Sequence, residues 1–138
     1  MKDCNCIFCK IANGEIPSTT LYEDEDFRVI LDLGPATRGH ALLLPKNHFA
    51  NLFELDDETA QKAILVAKKM AGKMKDALGA DGFNLVQNNG EAAGQTVFHF
   101  HVHIIPRYAG GPKIAAWTPG SETPEVLAKT AEQIRAAL

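Results

Sequence analysis

Between Asp56 and Gly79 the apolar residues Ala60, Ala63, Ile64, Ala67, Met70, Ala71, Met74, Ala77 and Leu78 recur at three- and four-residue steps. That spacing predicts an amphipathic helix with one buried stripe. Asp56 or Asp57 is placed to cap its first turn and Gly79 to stop it. Shorter runs rich in β-branched, aromatic and aliphatic residues predict strands over 20–22, 27–31, 41–44, 83–87 and 97–105. Turn-forming residues separate them: Pro17, the acidic stretch 23–26, Gly34-Pro35, 79–82, 88–94 and 109–112. Thr123-Pro124 opens a C-terminal helix whose buried side is expected to be Leu127, Ala131, Ile134 and Leu138, and a short helical turn is expected over 7–12. Three strands precede the long helix and two follow it, which favours an antiparallel sheet over a βαβ alternation. The expected class is α+β, a five-stranded, mainly antiparallel sheet with one long helix and a C-terminal helix.

Composition narrows the function. The chain has 138 residues, of which 46% are hydrophobic and 22% charged, the size and balance of one domain spanning 1–138. Fourteen Lys and Arg against seventeen Asp and Glu leave a net charge of −3, so no broad cationic field exists and nucleic acid is not an expected partner. No apolar run approaches the roughly 20 residues of a membrane span. The start, Met1-Lys2-Asp3-Cys4, lacks the apolar core of a signal peptide, so the expected location is the cytoplasm, away from membranes. Cys4, Cys6 and Cys9 lie too close together to staple the fold with disulfides, which turns attention to metal or thiol chemistry.

The chemistry concentrates in Phe98-His99-Phe100-His101-Val102-His103-Ile104-Ile105-Pro106. On a strand, alternate side chains share a face, so Phe98, Phe100, Val102 and Ile104 are expected in the core and His99, His101 and His103 opposite them. Side chains at i and i+2 stand roughly 7 Å apart, close enough for the imidazoles to share a small ligand. A row of surface histidines or a zinc centre built on His-x-His fits the same spacing. Just upstream, 88–96 supplies two glycines for close backbone approach and uncharged donors on Asn88, Gln95 and Thr96, a way to hold an anion without a cation. A phosphoryl group beside the histidines is the natural guest.

His99-Phe100-His101-Val102-His103-Ile104-Ile105 resembles the signature of the histidine triad (HIT) family, and Asn88 through Gly94-Gln95-Thr96 resembles its phosphate loop. The likeness extends to 7–11, 15–17 and 39–46 and is greatest to the small prokaryotic members of the Hint, or adenosine-phosphoramidase, branch. It implies a HIT-like fold and a nucleotide hydrolase or transferase that cleaves at the α-phosphate of purine nucleoside phosphoramidates or related conjugates through a covalent nucleotidyl-histidine. By this resemblance His101 is the nucleophile, a role suited to an imidazole that is mostly neutral near pH 7. His103 and His40 support it, and Thr96 stands where relatives carry Ser. Asn88, Gly94, Gln95 and the backbone near Val97 hold the phosphate. Asp32 holds the ribose, while Phe8, Ile11, Ile30 and Leu33 form the walls around the base.

Cys6-Ile7-Phe8-Cys9 has the spacing of a zinc knuckle that needs two further ligands. The resemblance, which here reaches to the hexose-phosphate uridylyltransferases, implies a structural zinc held by Cys6, Cys9, His48 and His99, with no metal needed for the chemical step. It also implies a homodimer, and it makes 107–138 an extension in which Trp117-x-Pro119-Gly120 approaches the partner's active site. A dinucleoside polyphosphate hydrolase would use the same nucleophile. A nucleotide- or zinc-binding regulatory module with little turnover, or a hydrolytic metal centre made from the histidine row, are the readings from other classes.

Overall fold

The computed structural model describes residues 1–115 and 117–138; Ala116 lies outside the described residues. Helix α1 spans Ile7–Ala12, followed by strands β1 (Thr20–Glu23), β2 (Phe27–Leu31) and β3 (Ala41–Pro45). Helix α2 (Asp57–Leu78) then leads to β4 (Gly82–Val86), β5 (Val102–Arg107) and helix α3 (Pro124–Ala136). The strands form one sheet in the order β1-β2-β3-β5-β4, and every pairing is antiparallel.

Local chemistry sets the ends of α2. The Asp56 carboxylate accepts the Thr59 N–H at 2.8 Å, and Gly79 closes the helix in the left-handed conformation. Ala63, Val66, Ala67, Met70 and Met74 are its buried side and pack against Phe27, Val29, Ala41, Leu43, Phe100 and Ile104. Ile64, expected in that stripe, is 58% exposed, and Val66 takes the inward position instead. Three- and four-residue steps define a stripe broader than the strip of sheet beneath it.

The central strand β3 is buried along its whole length because both sheet faces are covered. Ala41 and Leu43 face α2, whereas Leu42 and Leu44 join Ile30 and Ala12 under α1, with Phe8 and Ile11 packed against them. Register carries this alternation into β5. Ile104 pairs with Ala41 on the α2 side, and His103 pairs with Leu42 on the α1 side.

Two expectations need correction. The last strand begins at Val102 rather than 97, because 97–99 bends before the ladder starts, and Phe98 is turned out to 50% exposure instead of entering the core. The C-terminal helix forms where expected, with Thr123 accepting the Val126 N–H, but it buries no residue, and Leu127, Ile134 and Leu138 face solvent. An amphipathic stripe specifies that a helix has an apolar side, not that this chain covers it.

Gly39 connects the fold to the site. Its φ is +89°, and a Cβ there would lie 2.5 Å from Leu78 Cδ1 and 3.2 Å from Pro106 Cγ. Gly39→Ala is expected to cost about 2 kcal/mol through strain and overpacking, read as a lower urea midpoint with an unchanged slope.

Candidate active site

The α1 face of the sheet carries a pocket of about 400 Å³ at the ends of β2 and β5. Its apolar wall is Phe8, Ile11, Ile30, Leu31, Leu33 and Leu42, and its polar rim is Asp32, Asn88, Thr96, His101 and His103. Gly94, Gln95 and Val97 complete the lining. The loop from β4 follows a single 3-10 turn at Glu91–Ala93 flanked by Gly90 and Gly94, both with φ of 89°. All the residues expected around the nucleotide come together here. Leu31 and Leu42 are additions, and Leu42 becomes visible only once strand pairing places it opposite His103.

Gln95 lines the pocket, but its amide is spent on the loop. Oε1 accepts the Gly90 N–H at 2.8 Å, and Nε2 donates to the carbonyls of Ala50 (2.7 Å) and Val97 (3.1 Å). With both amide hydrogens committed and the residue buried, Gln95 shapes the loop rather than offering a side-chain donor to a ligand.

The hydrogen-bond network assigns the protons on the histidines. His101 Nδ1–H donates to the His99 carbonyl at 2.6 Å, which leaves Nε2 as its basic nitrogen. Behind the pocket, the Ala36 N–H donates to His40 Nδ1 at 2.9 Å, so the His40 proton sits on Nε2. That N–H donates to His103 Nδ1, again at 2.9 Å, which leaves His103 with Nε2–H as a donor. Asp32 Oδ2 lies farther from His40 Nε2, at 3.6 Å, while Oδ1 accepts the Gly34 N–H. The site therefore holds one imidazole lone pair, on His101, and one imidazole donor, on His103. No pattern in the sequence marks the Ala36 N–H that sets this chain of tautomers.

Burial keeps these rings neutral. It lowers His40 and His101 from the ordinary 6.5, and it takes His103 to about 4, helped by the nearby His101 and His40. The His40–His103 pair thus stays in its neutral arrangement when the pH falls through 6.5. Turnover that depends on it is expected to be flat from about pH 8 to about pH 6 and to fall below that, and a pH–rate profile with its acid limb centred above 6.5 contradicts it. His103 also contributes stability that is present above 6.5 and is lost as the pH falls toward about 4, because the unfolded chain binds the extra proton in that range.

A second cluster sits under the pocket. Cys9 Sγ lies 3.4 Å from His48 Nδ1 and 3.5 Å from His99 Nδ1, and Cys6 Sγ lies 3.5 Å from His99 Nδ1. His99 Nε2–H donates to the Pro45 carbonyl at 2.9 Å, so Nδ1 faces the sulfurs as a free base. The Cys9 N–H points to Cys6 Sγ and the Asp3 N–H to Cys9 Sγ. Zinc–sulfur bonds of about 2.3 Å and zinc–nitrogen bonds of about 2.0 Å at tetrahedral angles put neighbouring ligand atoms about 3.5 Å apart. The donor set and its spacing fit that ion. Cys4 is exposed and stands outside the cluster.

The histidine triad and its loop match what is known of other proteins. Residues 13–110 match the family model of the HIT domain. The chain belongs to the HIT family. Among curated relatives it is 47% identical to Protein hit of Bacillus subtilis over 112 residues, 81% of this chain and 77% of that protein. It is 41% identical to adenosine 5′-monophosphoramidase HNT1 of Saccharomyces cerevisiae over 121 residues, 88% of this chain and 74% of that one. The structure of SMU.412c from Streptococcus mutans superposes with a TM-score of 0.93 at 40% identity, covering 99% of this chain and 87% of that one. A Zn-bound histidine triad family protein from Mycobacterium smegmatis matches at 37% identity and a TM-score of 0.75, covering 97% and 98%. Among the described residues of this HIT chain, no helix is long and apolar enough to cross a membrane.

Proposed function

We propose that this HIT protein cleaves purine nucleoside 5′-phosphoramidates, or related conjugates, at the α-phosphorus through a nucleotidyl-His101 intermediate. The observation that carries the reading is the opposed protonation of His101 and His103 across one pocket wall. His101 Nε2 supplies its lone pair to phosphorus and forms a P–N bond while the bond to the departing nitrogen breaks. The His103 Nε2–H, held by His40, donates to a phosphate oxygen as charge builds there. The exposed Thr96 hydroxyl relays a solvent proton to the departing amine. Asn88, Gly94 and the backbone near Val97 cradle the phosphate, and Gln95 holds that loop in shape. The Asp32 carboxylate accepts hydrogen bonds from the ribose hydroxyls. Phe8, Ile11, Ile30 and Leu33 enclose the base. Water then attacks the phosphorus, the P–N bond breaks, and the nucleoside monophosphate leaves with His101 restored. The yeast relative's name, an adenosine 5′-monophosphoramidase, supports this substrate class.

Zinc in the Cys6–Cys9–His48–His99 cluster would be structural, holding the N-terminal turn to the sheet and taking no part in bond breaking. The 107–138 segment is an extension of one unit spanning 1–138, working in the cytoplasm. Two copies are proposed to join through edge strand β4 and the neighbouring side of α2, where Leu52, Ile64 and Leu85 line an apolar groove of about 220 Å³. Light scattering should return twice the chain mass, and Leu85→Glu should return a monomer.

The function is tested by rapid denaturing quench of the protein with an adenosine phosphoramidate labelled at the α-phosphorus. Label is expected on a peptide containing His101 and is expected to be absent from His101→Ala. Label retained by that variant, or none on a protein that turns the substrate over, rejects the assignment.

A further inference from the structure

We infer that the Cys6–Cys9–His48–His99 cluster is a positioning device for the neighbouring pocket: gathered around a metal ion it fixes both the Phe8 wall and the carbonyl that aims His101, and emptied it releases both. What His101 then does rests on the nucleotidyl-transfer reading; the mechanical connection does not.

Two connections run from the cluster into the pocket. The first is a shared residue. His99 turns its ring nitrogen Nδ1 to both sulfurs at 3.5 Å, and its own main-chain carbonyl accepts the His101 Nδ1–H at 2.6 Å. A shift of the His99 ring therefore moves the group that decides which His101 nitrogen is basic. The second is α1. Phe8 lies between the two cysteines in sequence, its ring meets His101 edge-on at 5.0 Å and His99 at 6.1 Å, and it lines the pocket together with Ile11 from the same helix.

That helix cannot hold itself in place. It has six residues, far below the length at which an isolated helix persists, and buries only Cys9 and Ala12. Its N-cap is the Cys6 sulfur, and its last turn is tied to the body by Asn13, whose Nδ2 donates to the Cys9 and Lys46 carbonyls. The cluster is the tether at the Phe8 end. Its ligands come from α1 and its N-cap, from the segment after β3 and from the segment before β5, so closing it draws the two walls of the pocket together. His99 and Phe8 are on this view positioning residues for His101.

The test compares four proteins below their unfolding temperatures: zinc-loaded wild type, wild type stripped by a chelator, Cys6→Ser, and Met74→Ala. The last is a cavity in the α2 core that lowers stability without touching the cluster. Two quantities are read, the Kd for AMP by calorimetry and the His101 tautomer by long-range proton–nitrogen NMR of the imidazoles. Stripping and Cys6→Ser are expected to raise the Kd about tenfold and to replace a single Nδ1–H tautomer with a mixture. Added zinc is expected to restore the stripped wild type, and Met74→Ala is expected to change neither quantity. A stripped protein with intact circular dichroism, an unchanged Kd and the same tautomer overturns the inference. So does a Met74→Ala protein that shifts as far as Cys6→Ser. If wild type binds AMP yet never carries label after quench, the covalent function fails while these two readouts still decide the positioning role.

Discussion

His101→Ala is expected to lower turnover of an adenosine phosphoramidate by at least about ten-thousand-fold, a barrier increase of about 5.5 kcal/mol, while the Kd for AMP stays within a few-fold of wild type. The separation follows from the site. His101 offers the one imidazole lone pair the network leaves facing the pocket, whereas His103 already spends Nδ1 on the His40 N–H and can only donate. Binding, by contrast, draws mainly on Asp32, the apolar wall and the phosphate loop, of which the His101 ring touches Phe8. The ring is edge-on to Phe8, so its removal also leaves a cavity, and His101→Asn serves as a control closer to it in size and polarity. Both variants should show the same loss of kcat at substrate saturation. A variant that loses affinity and keeps kcat would place the chemistry elsewhere.

The second large effect is on stability. Purified wild type is expected to carry about one zinc per chain, and Cys9→Ser less than about a tenth of that. Because the ligands come from three separated segments, losing the ion removes a cross-link that binds only the folded chain. A loss of about 3 kcal/mol is expected, which for a domain of this size lowers Tm by about 10 °C. Metal analysis and scanning calorimetry on the same preparation decide it. Cys4→Ser, at an exposed position outside the cluster, should change neither number. Wild type that holds no zinc after purification from zinc-replete medium, with a Tm equal to that of Cys9→Ser, rejects a metal role for the four residues.

Much of this arrangement is legible in the residues, for reasons that differ by element. Helix α2 could be bounded at Asp56 and Gly79 because both signals are local: a side chain that reaches its own first turn, and a residue that tolerates the left-handed conformation. Alternation placed Phe100, Val102 and Ile104 toward α2 and His103 on the other side. It failed at Phe98, where the chain bends before the ladder and alternation no longer governs direction. The C-terminal helix shows the limit of an apolar stripe. Leu127 and Ile134 are spaced for burial, but periodicity does not say which surface covers them. At the site, residue types indicated the pocket but not the protonation. Whether a histidine gives or takes a hydrogen bond depends on a main-chain group brought near by the fold, the Ala36 N–H for His40 and the His99 carbonyl for His101. Gln95 is a related case, since an amide read as a ligand donor is consumed by three main-chain partners that no spacing rule reveals.

The central claim is that phosphorus is attacked twice, first by His101 and then by water. The most direct measurement is the stereochemical course at phosphorus, using an adenosine phosphoramidate made chiral by sulfur at the α-position and hydrolysed in isotopically labelled water. Each in-line displacement inverts the centre, so two of them leave it as it began. Net retention is the predicted result, and net inversion, the mark of a single attack by water, contradicts it.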